Sequence, residues 1–237
     1  MGVIMITLLV CSSLWAQAGA HQTAPVEMTT YQMVLLKRGP SQPPSAPEAQ
    51  MKMQQAHLAN LADLNKKRIN LLYGPITTAE GDIAGIAILD VKTADEAKKA
   101  FVDDPFVKAG VMVPEVHAWY GPKNWFGVPP SYDVMQPSTL EPLIFGFLMR
   151  GPNTSQDQKT VDELQKGHLA YMDALHAQGK LPVAGPFAAD MPARGIVIYR
   201  VPNVAAAKAL AAEDPMVKAG RLVLEAYPWM TLKGILK

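Results

Sequence analysis

The pattern of apolar and polar residues in the first half of the chain predicts alternating strands and helices. Residues 31–36 form a compact, apolar and β-prone run that ends at a Gly-Pro step, where proline stops ladder pairing. Residues 48–67 contain good helix formers and few breakers, which predicts a helix of several turns. The other predicted elements are strands at 68–73, 83–91 and 111–119, and a helix at 94–102 that Thr93 caps.

The second half of the chain repeats the motifs of the first half in the same order. A His-Leu-Ala sequence begins at His57 and at His168, and a Gly-Pro follows each copy. Asp104 and Asp214 then each open an Asp-Pro-x-Val-Lys-Ala-Gly sequence. Because the motifs keep their order and nearly their spacing, the sequence predicts a tandem duplication in which each copy is a small domain.

The predicted order β-α-β-β-α-β is that of a ferredoxin-like α+β unit, with both helices on one face of a four-stranded sheet. The other face of such a sheet needs a cover, and a second copy of the unit supplies it. We therefore expect two units packed sheet to sheet as an intrachain pseudo-dimer. The predicted repeats span residues 21–120 and 143–237. Residues 121–142 form a proline-rich linker, whose three aromatic residues favour an ordered strap over a flexible tether.

Composition and charge exclude some classes of protein. With 49% hydrophobic and 18% charged residues, the chain is too apolar for intrinsic disorder. Its net charge of +1 comes without a clustered basic face, so a nucleic acid is not an expected partner.

The N-terminus has the pattern of a signal peptide. Residues 3–15 are uncharged and mostly apolar, and small residues suited to cleavage follow them. We expect residues 1–20 to be removed and the protein to be periplasmic or secreted, with no stable membrane insertion afterwards. Two alternatives are a membrane anchor, for which the run is shorter than the roughly 20 residues of a span, and lipidation at Cys11. Cys11 is the only cysteine, so the mature chain would have no disulfide and no thiolate catalyst.

The repeated histidines are the first candidates for chemistry. Helical spacing places His57 on one face with Leu61 and Leu64, and it gives His168 the same relation to Met172 and Leu175. Both imidazoles therefore point toward the apolar side of their helix. The alternative to a functional role is a buried, neutral imidazole that packs and makes one hydrogen bond.

The repeated aspartates and arginines could act with these histidines. Asp104 and Asp214 follow the second helix of each unit, which lies beside the first, so each carboxylate could reach an imidazole and fix its tautomer for acid–base work. For either aspartate taken alone, however, capping of the following helical turn is the favoured explanation. Arg38 and Arg150 end the first strand of each unit and could bind a substrate carboxylate, although a solvated strand-end arginine is the simpler interpretation.

Motifs for bound groups are missing from the sequence. No His/Asp/Glu cluster has a firm metal-ligand spacing, and we see no glycine-rich phosphate loop and no serine nucleophile elbow. We therefore predict neither a metal nor a cofactor.

The ordered set of His-Leu-Ala, Gly-Pro, Asp-Pro-x-Val-x-Ala-Gly and a closing strand ending near Trp resembles the YciI-like, or YCII-related, family. The resemblance covers residues 31–119 and 143–229. It implies a dimeric α+β barrel, which one chain would form here alone, and a His-Asp catalytic dyad at His57 with Asp104 and at His168 with Asp214. One member of that family is a dehydrochlorinase of a chlorinated hydroxyquinol. The barrel superfamily also includes proteins that bind haem and other small ligands.

Two functions follow as hypotheses. The first is a small-molecule lyase or isomerase in which a histidine moves a proton and an aspartate orients the ring. The alternative is a non-catalytic periplasmic barrel that binds a small ligand or has a structural role. In both cases the expected partner is a small molecule, and the protein is a monomer with an internal pseudo-dimer or a higher homo-oligomer.

Overall fold

A computed structural model describes residues 26–134, 136–189 and 191–237 and contains two successive βαββαβ units. The predicted signal peptide and Cys11 lie outside the described residues. The first unit consists of β1 Met28–Arg38, α1 Pro47–Lys66, β2 Asn70–Pro75, β3 Ile83–Leu89, α2 Ala94–Ala100, α3 Pro105–Lys108 and β4 Met112–Pro122. After a single 3-10 turn, Pro137–Thr139, the second unit consists of β5 Leu140–Arg150, α4 Gln158–Ala177, β6 Val183–Pro186, β7 Ala193–Tyr199, α5 Val204–Ala211, α6 Pro215–Lys218 and β8 Leu222–Leu232.

Each unit forms one antiparallel four-stranded sheet with the ferredoxin-like strand order. The orders are β2-β3-β1-β4 and β6-β7-β5-β8, so the two sheets are topologically equivalent. Their registers agree as well, because Leu36 pairs with Gly85 in the first sheet and Leu148 pairs with Gly195 in the second. The predicted α+β fold of two such units is confirmed.

Local sequence explains where the helices that support the site begin and end. Thr93 accepts a hydrogen bond from the amide of Glu96 and caps α2. Asp104 and Asp214 cap α3 and α6, each of which has proline at its first position, where a missing amide hydrogen costs nothing. Gly110 follows α3 with a φ of 68°, a left-handed conformation that favours glycine.

Two predicted boundaries differ from the structure. The second strand begins at Asn70 rather than at residue 68, because α1 is followed by Arg68 in a left-handed conformation with a φ of 58°. The linker is shorter than residues 121–142, because β4 continues to Pro122 and β5 begins at Leu140. Pairing explains this extension, since β4 pairs with β1 and β5 pairs with β8 along their full length.

The two sheets are joined edge to edge by reciprocal contacts that close a barrel. The indole Nε1 of Trp119 donates to the carbonyl of Gly185 at 2.9 Å, and Nε1 of Trp229 donates to the carbonyl of Gly74 at 3.0 Å. A Cβ atom on Gly74 would lie 1.7 Å from the carbonyl oxygen of Met230. The repeated Gly-Pro motif is therefore needed for a close approach between repeats, whereas the sequence indicated only a strand connection.

Buried side chains form one shared core and one local core. The larger cluster combines residues of both repeats, including Met33, Ile86 and Phe145, which fixes the two sheets against each other. The smaller cluster contains only residues of the second repeat, including Leu175 and Tyr199, and lies under its helices.

The linker between the repeats is anchored to the first unit. The guanidinium of Arg68 donates to the carbonyls of Phe126 and Gly127, at 2.9 Å and 2.7 Å. Tyr132 donates to Oδ1 of Asn65 at 2.9 Å. Across residues 26–134, 136–189 and 191–237, no helix combines the length and apolar character that crossing a membrane requires.

Candidate functional site

The structure brings His57 and Asp104 into direct contact beneath α1. Nδ1 of His57 lies 2.7 Å from Oδ2 of Asp104, and the two side chains are 8% and 0% exposed. The same Oδ2 accepts from the amide group of Asn60 at 3.2 Å, while Oδ1 accepts from the backbone N–H of Phe106 at 3.0 Å. Asp104 therefore both caps α3 and holds the imidazole, so the two roles weighed from the sequence are compatible.

The second repeat contains the same arrangement with one difference. Nδ1 of His168 lies 2.6 Å from Oδ2 of Asp214, and Oδ1 of Asp214 accepts from the backbone N–H of Met216 at 2.8 Å. Tyr171 occupies the position of Asn60 and donates instead to the carbonyl of Leu210 at 2.8 Å. Among the described residues, the carboxylate of Asp214 therefore has two hydrogen-bond donors where that of Asp104 has three.

The contacts of each aspartate determine which imidazole nitrogen carries the proton. A carboxylate only accepts hydrogen bonds, so the Nδ1 atom that faces it is the donor. The other nitrogen, Nε2, is then left with its lone pair. Nε2 of His168 makes no hydrogen bond to any described residue. An imidazole in this tautomer can accept a proton at Nε2, which is what a general base does.

A cavity beside His57 is small and apolar. It has a volume of about 290 Å³ and lies between α1, the sheet and the end of the linker. Its wall includes Leu61, Tyr73, Val134 and Leu140. Among the described residues that line it, none is Asp, Glu, Lys or Arg. Burial raises the pKa of Tyr73, so this hydroxyl stays neutral over the ordinary pH range.

A cavity beside His168 is larger and carries charge. Its volume is about 580 Å³, within the range of roughly 300–1,000 Å³ typical of small-molecule sites. Its apolar lining includes Met172 and Ile196. Trp125 and His176 line it as well, and their rings stack with centroids 4.1 Å apart. Among the described residues, its charged lining consists of Arg150, Arg194, Arg221 and Asp173.

The two arginines predicted to bind substrate have different surroundings. Arg150 lines the cavity of the second repeat. Arg38 donates to the carbonyls of Thr78 and Gly81, at 3.2 Å and 3.4 Å, and lines neither of the cavities beside the histidines. Arg38 therefore lies away from both histidine cavities, at the end of β1.

Two arginines of the larger cavity were not predicted from the sequence. Arg194 and Arg221 correspond to Ala84 and Val111 of the first repeat, as the glycine beside each of them shows. The motifs that the two copies share do not include these arginines, because only the second copy has them. The signal was present as a difference: the second repeat has two arginines where the first has small apolar residues.

Metal ligands are not clustered in the described part of the chain. Within residues 26–134, 136–189 and 191–237, no three His, Cys, Asp or Glu side chains are placed to hold an ion together. The side chains that border the two cavities can transfer protons and bind anions.

Solved structures share this architecture at low sequence identity. A haem-binding protein from Thermus thermophilus is 13% identical, with a TM-score of 0.53 over 88% of this chain and 93% of that one. A variant of the chlorite dismutase from Candidatus Nitrospira defluvii is 10% identical, with a TM-score of 0.55 over 86% of this chain and 92% of that one. At such identities the similarity concerns the fold alone. No curated protein matches the sequence at a significant level.

The sequence matches the model of the YCII-related domain twice, over residues 31–119 and 147–230. The two segments coincide with the two βαββαβ units, and together they cover more than half of the chain. The expected tandem duplication is therefore present at the level of the family as well as the fold. The chain belongs to the YCII-related domain family.

Proposed function

We propose that the protein is a small-molecule lyase or isomerase whose working site is the cavity of the second repeat. In this proposal Nε2 of His168 accepts a proton from a bound compound and returns it at another position or to a leaving group. Asp214 is a positioning residue: it keeps the proton of the imidazole on Nδ1 and stabilises the imidazolium that forms.

This proposal rests mainly on one observation. Nδ1 of His168 lies 2.6 Å from Asp214 while the same residue lines a cavity of about 580 Å³. An imidazole that a carboxylate holds at the wall of such a cavity can reach a bound compound, which is what an acid–base role requires. The first repeat supports the choice by contrast, because its cavity is half the size and its His57 is more deeply buried.

The apolar walls of the cavity support proton transfer at carbon. Met172, Ile196 and Leu148 line the same cavity as His168, and such groups bind an organic body and exclude water. A base beside such a wall is shielded from solvent and can act on a weakly acidic C–H bond. The expected substrate is therefore an organic compound rather than an inorganic ion.

The test is solvent exchange with a matched pair of variants. Small organic acids with acidic C–H bonds are incubated with the full chain in D₂O, and the loss of proton signals is followed by NMR. His168→Asn should slow the exchange by about 10²–10⁴-fold, the usual contribution of one acid–base group, while His57→Asn should leave it unchanged. Equal rates for wild type and His168→Asn, or no exchange above the buffer rate, would contradict the proposal.

A second function, binding of haem, is favoured by the same histidine. Metal-binding histidines usually donate their other ring N–H to a carboxylate, as His168 does to Asp214. Nε2 of His168 would then bind the iron, and Arg194 and Arg221 would bind the propionates. When bound, the group would supply iron chemistry such as ligand binding or electron transfer.

Absorption spectroscopy distinguishes the two functions. If haem is the ligand, titration of the full chain with haemin should give a saturable shift of the Soret band at one equivalent. His168→Ala should abolish this shift, whereas His57→Ala should not. A shift that is equal in all three proteins would mean nonspecific adsorption to apolar surface.

A further inference from the structure

We propose that the cavity of the second repeat selects small organic acids, and that Arg194 and Arg221 bind the carboxylate. This inference rests on the proposed function in one respect, since it names the substrate class of the same site. It depends, however, on binding rather than on turnover. It also assigns the selectivity to two residues that the duplication does not share.

Most of the charged side chains around this cavity are arginines. Among the described residues, three arginines and one aspartate are its charged lining, and each arginine also interacts with another part of the protein. In a cleft with apolar walls, screening by water is weak, so a guanidinium attracts an anion more strongly than it would in open solvent.

The geometry of a guanidinium suits a carboxylate in particular. Its planar fork can form two parallel hydrogen bonds with the two carboxylate oxygens. It has five N–H donors, so an arginine can keep a protein partner and still bind a ligand. Arg221, for example, donates from one nitrogen to Oε1 of Gln156 at 2.7 Å.

Comparison with the first repeat separates selectivity from folding. The two cavities are built from equivalent elements, yet Ala84 and Val111 stand where the second repeat has Arg194 and Arg221. The fold therefore forms without arginine at either position. Neither arginine is therefore a requirement of the fold that the two copies share, and a role in binding a ligand is expected only where that ligand binds.

The apolar lining defines the rest of the ligand. Leu148, Met172 and Ile196 line the same cavity as the arginines, and a polar anion such as phosphate would leave them without an apolar partner. An organic acid with an apolar or aromatic body satisfies both parts of the cavity. The neutral cavity beside His57 is expected to have no such preference for a carboxylate.

Pairs of matched probes test this inference. Benzoate and phenylacetate are titrated against the full chain by calorimetry, and their neutral amides, benzamide and phenylacetamide, are titrated in parallel. Wild type should bind at least one acid about tenfold more tightly than its amide, the factor that one charge-assisted hydrogen bond contributes. Inorganic phosphate is a further probe, and it should bind more weakly than the acids.

The variants reproduce the residues of the first repeat, so they are expected to fold. Arg194→Ala and Arg221→Val should each weaken binding of the acid by about tenfold without changing that of the amide. Arg194→Gln, which keeps hydrogen-bonding groups but not the charge, should give an intermediate loss. Arg38→Ala is the matched control, since this arginine lines neither cavity, and it should bind both probes as wild type does.

The outcomes separate this inference from the proposed function. Equal affinity for acids and amides, no binding of either acid, or a preference that survives both arginine substitutions would overturn the selectivity. If the acids bind more tightly than the amides because of the arginines, but no hydrogen exchange depends on His168, the selectivity stands and the proposed catalysis is rejected. If exchange requires His168 but both arginine variants bind the acids as wild type does, the proposed catalysis stands and the selectivity is rejected.

Discussion

Replacing Asp214 by asparagine should separate its capping role from its role toward His168. In the amide, the carbonyl oxygen can still accept from the backbone N–H of Met216, so the cap of α6 is kept. The NH₂ group, however, would then stand where Oδ2 accepts from His168. To make a hydrogen bond with it, the imidazole must move its proton to Nε2, the tautomer that cannot act as a base toward the cavity.

The stability cost of this change can be worked from the two contacts. Asp214→Ala removes the cap, worth about 1 kcal/mol, and leaves the N–H of His168 without its partner, which costs about 1–3 kcal/mol. We therefore expect Asp214→Ala to lower the free energy of unfolding by about 2–4 kcal/mol. Asp214→Asn keeps the cap and exchanges a charge-assisted hydrogen bond for a neutral one, so it should cost only about 1 kcal/mol.

Urea unfolding and solvent exchange measure the two roles independently. Asp214→Asn should retain most of the stability and lower the exchange rate by about 10²-fold or more, as His168→Asn does. Asp104→Asn is the matched control in the first repeat and should leave the exchange rate unchanged. Asp214 does not have these two separate roles if Asp214→Asn is as unstable as Asp214→Ala, or if it exchanges at the wild-type rate.

Two further predictions concern the barrel and its response to pH. Gly74→Ala should lower the free energy of unfolding by about 3 kcal/mol or more, because the new Cβ atom would meet the carbonyl of Met230. Gly179→Ala is the control: Gly179 has a φ of 69° and no atom within 4 Å of a new Cβ, so this change should cost only about 1–2 kcal/mol. Thermal or urea unfolding measures both values. Burial raises the pKa of Tyr227 to about 12, above the value near 10 of the unfolded chain. As the pH rises, the tyrosine therefore loses its proton first in the unfolded state, and the free energy of unfolding should fall between about pH 10 and pH 12. Urea unfolding at several pH values measures this fall. A free energy of unfolding that stays constant over this range would contradict the prediction. Burial likewise raises the pKa of Tyr31, Tyr73, Tyr171 and Tyr199.

Local patterns in the sequence were sufficient to predict most of the fold. The hydrophobic runs and the caps at Thr93, Asp104 and Asp214 predicted the order of elements, because these signals act within a few residues. The strand ends were less accurate, since β4 and β5 are lengthened by pairing with distant partners. The barrel closure at Gly74 and Trp229 joins residues that are far apart in the chain, and a glycine leaves little trace of the backbone that approaches it.

Only part of the candidate site could be predicted from the sequence. The repeated His and Asp could be paired, because the order of elements places their helices side by side. The sequence did not show that His57 and His168 differ in burial, or that their cavities differ in size, because both depend on how the linker and the neighbouring repeat cover each helix. Arg194 and Arg221 join His168 only through the packing of distant parts of the second repeat around the cavity.

The decisive measurement is the long-range ¹H–¹⁵N NMR spectrum of the His168 side chain, recorded with and without benzoate at a pH where the imidazole is neutral. If Nε2 is the base, Nδ1 carries the proton, Nε2 carries none, and the change on adding benzoate is mainly at Nε2. A proton on Nε2, or two nitrogen signals that do not respond to any of the organic acids, would contradict the claim that this histidine presents a base to a ligand.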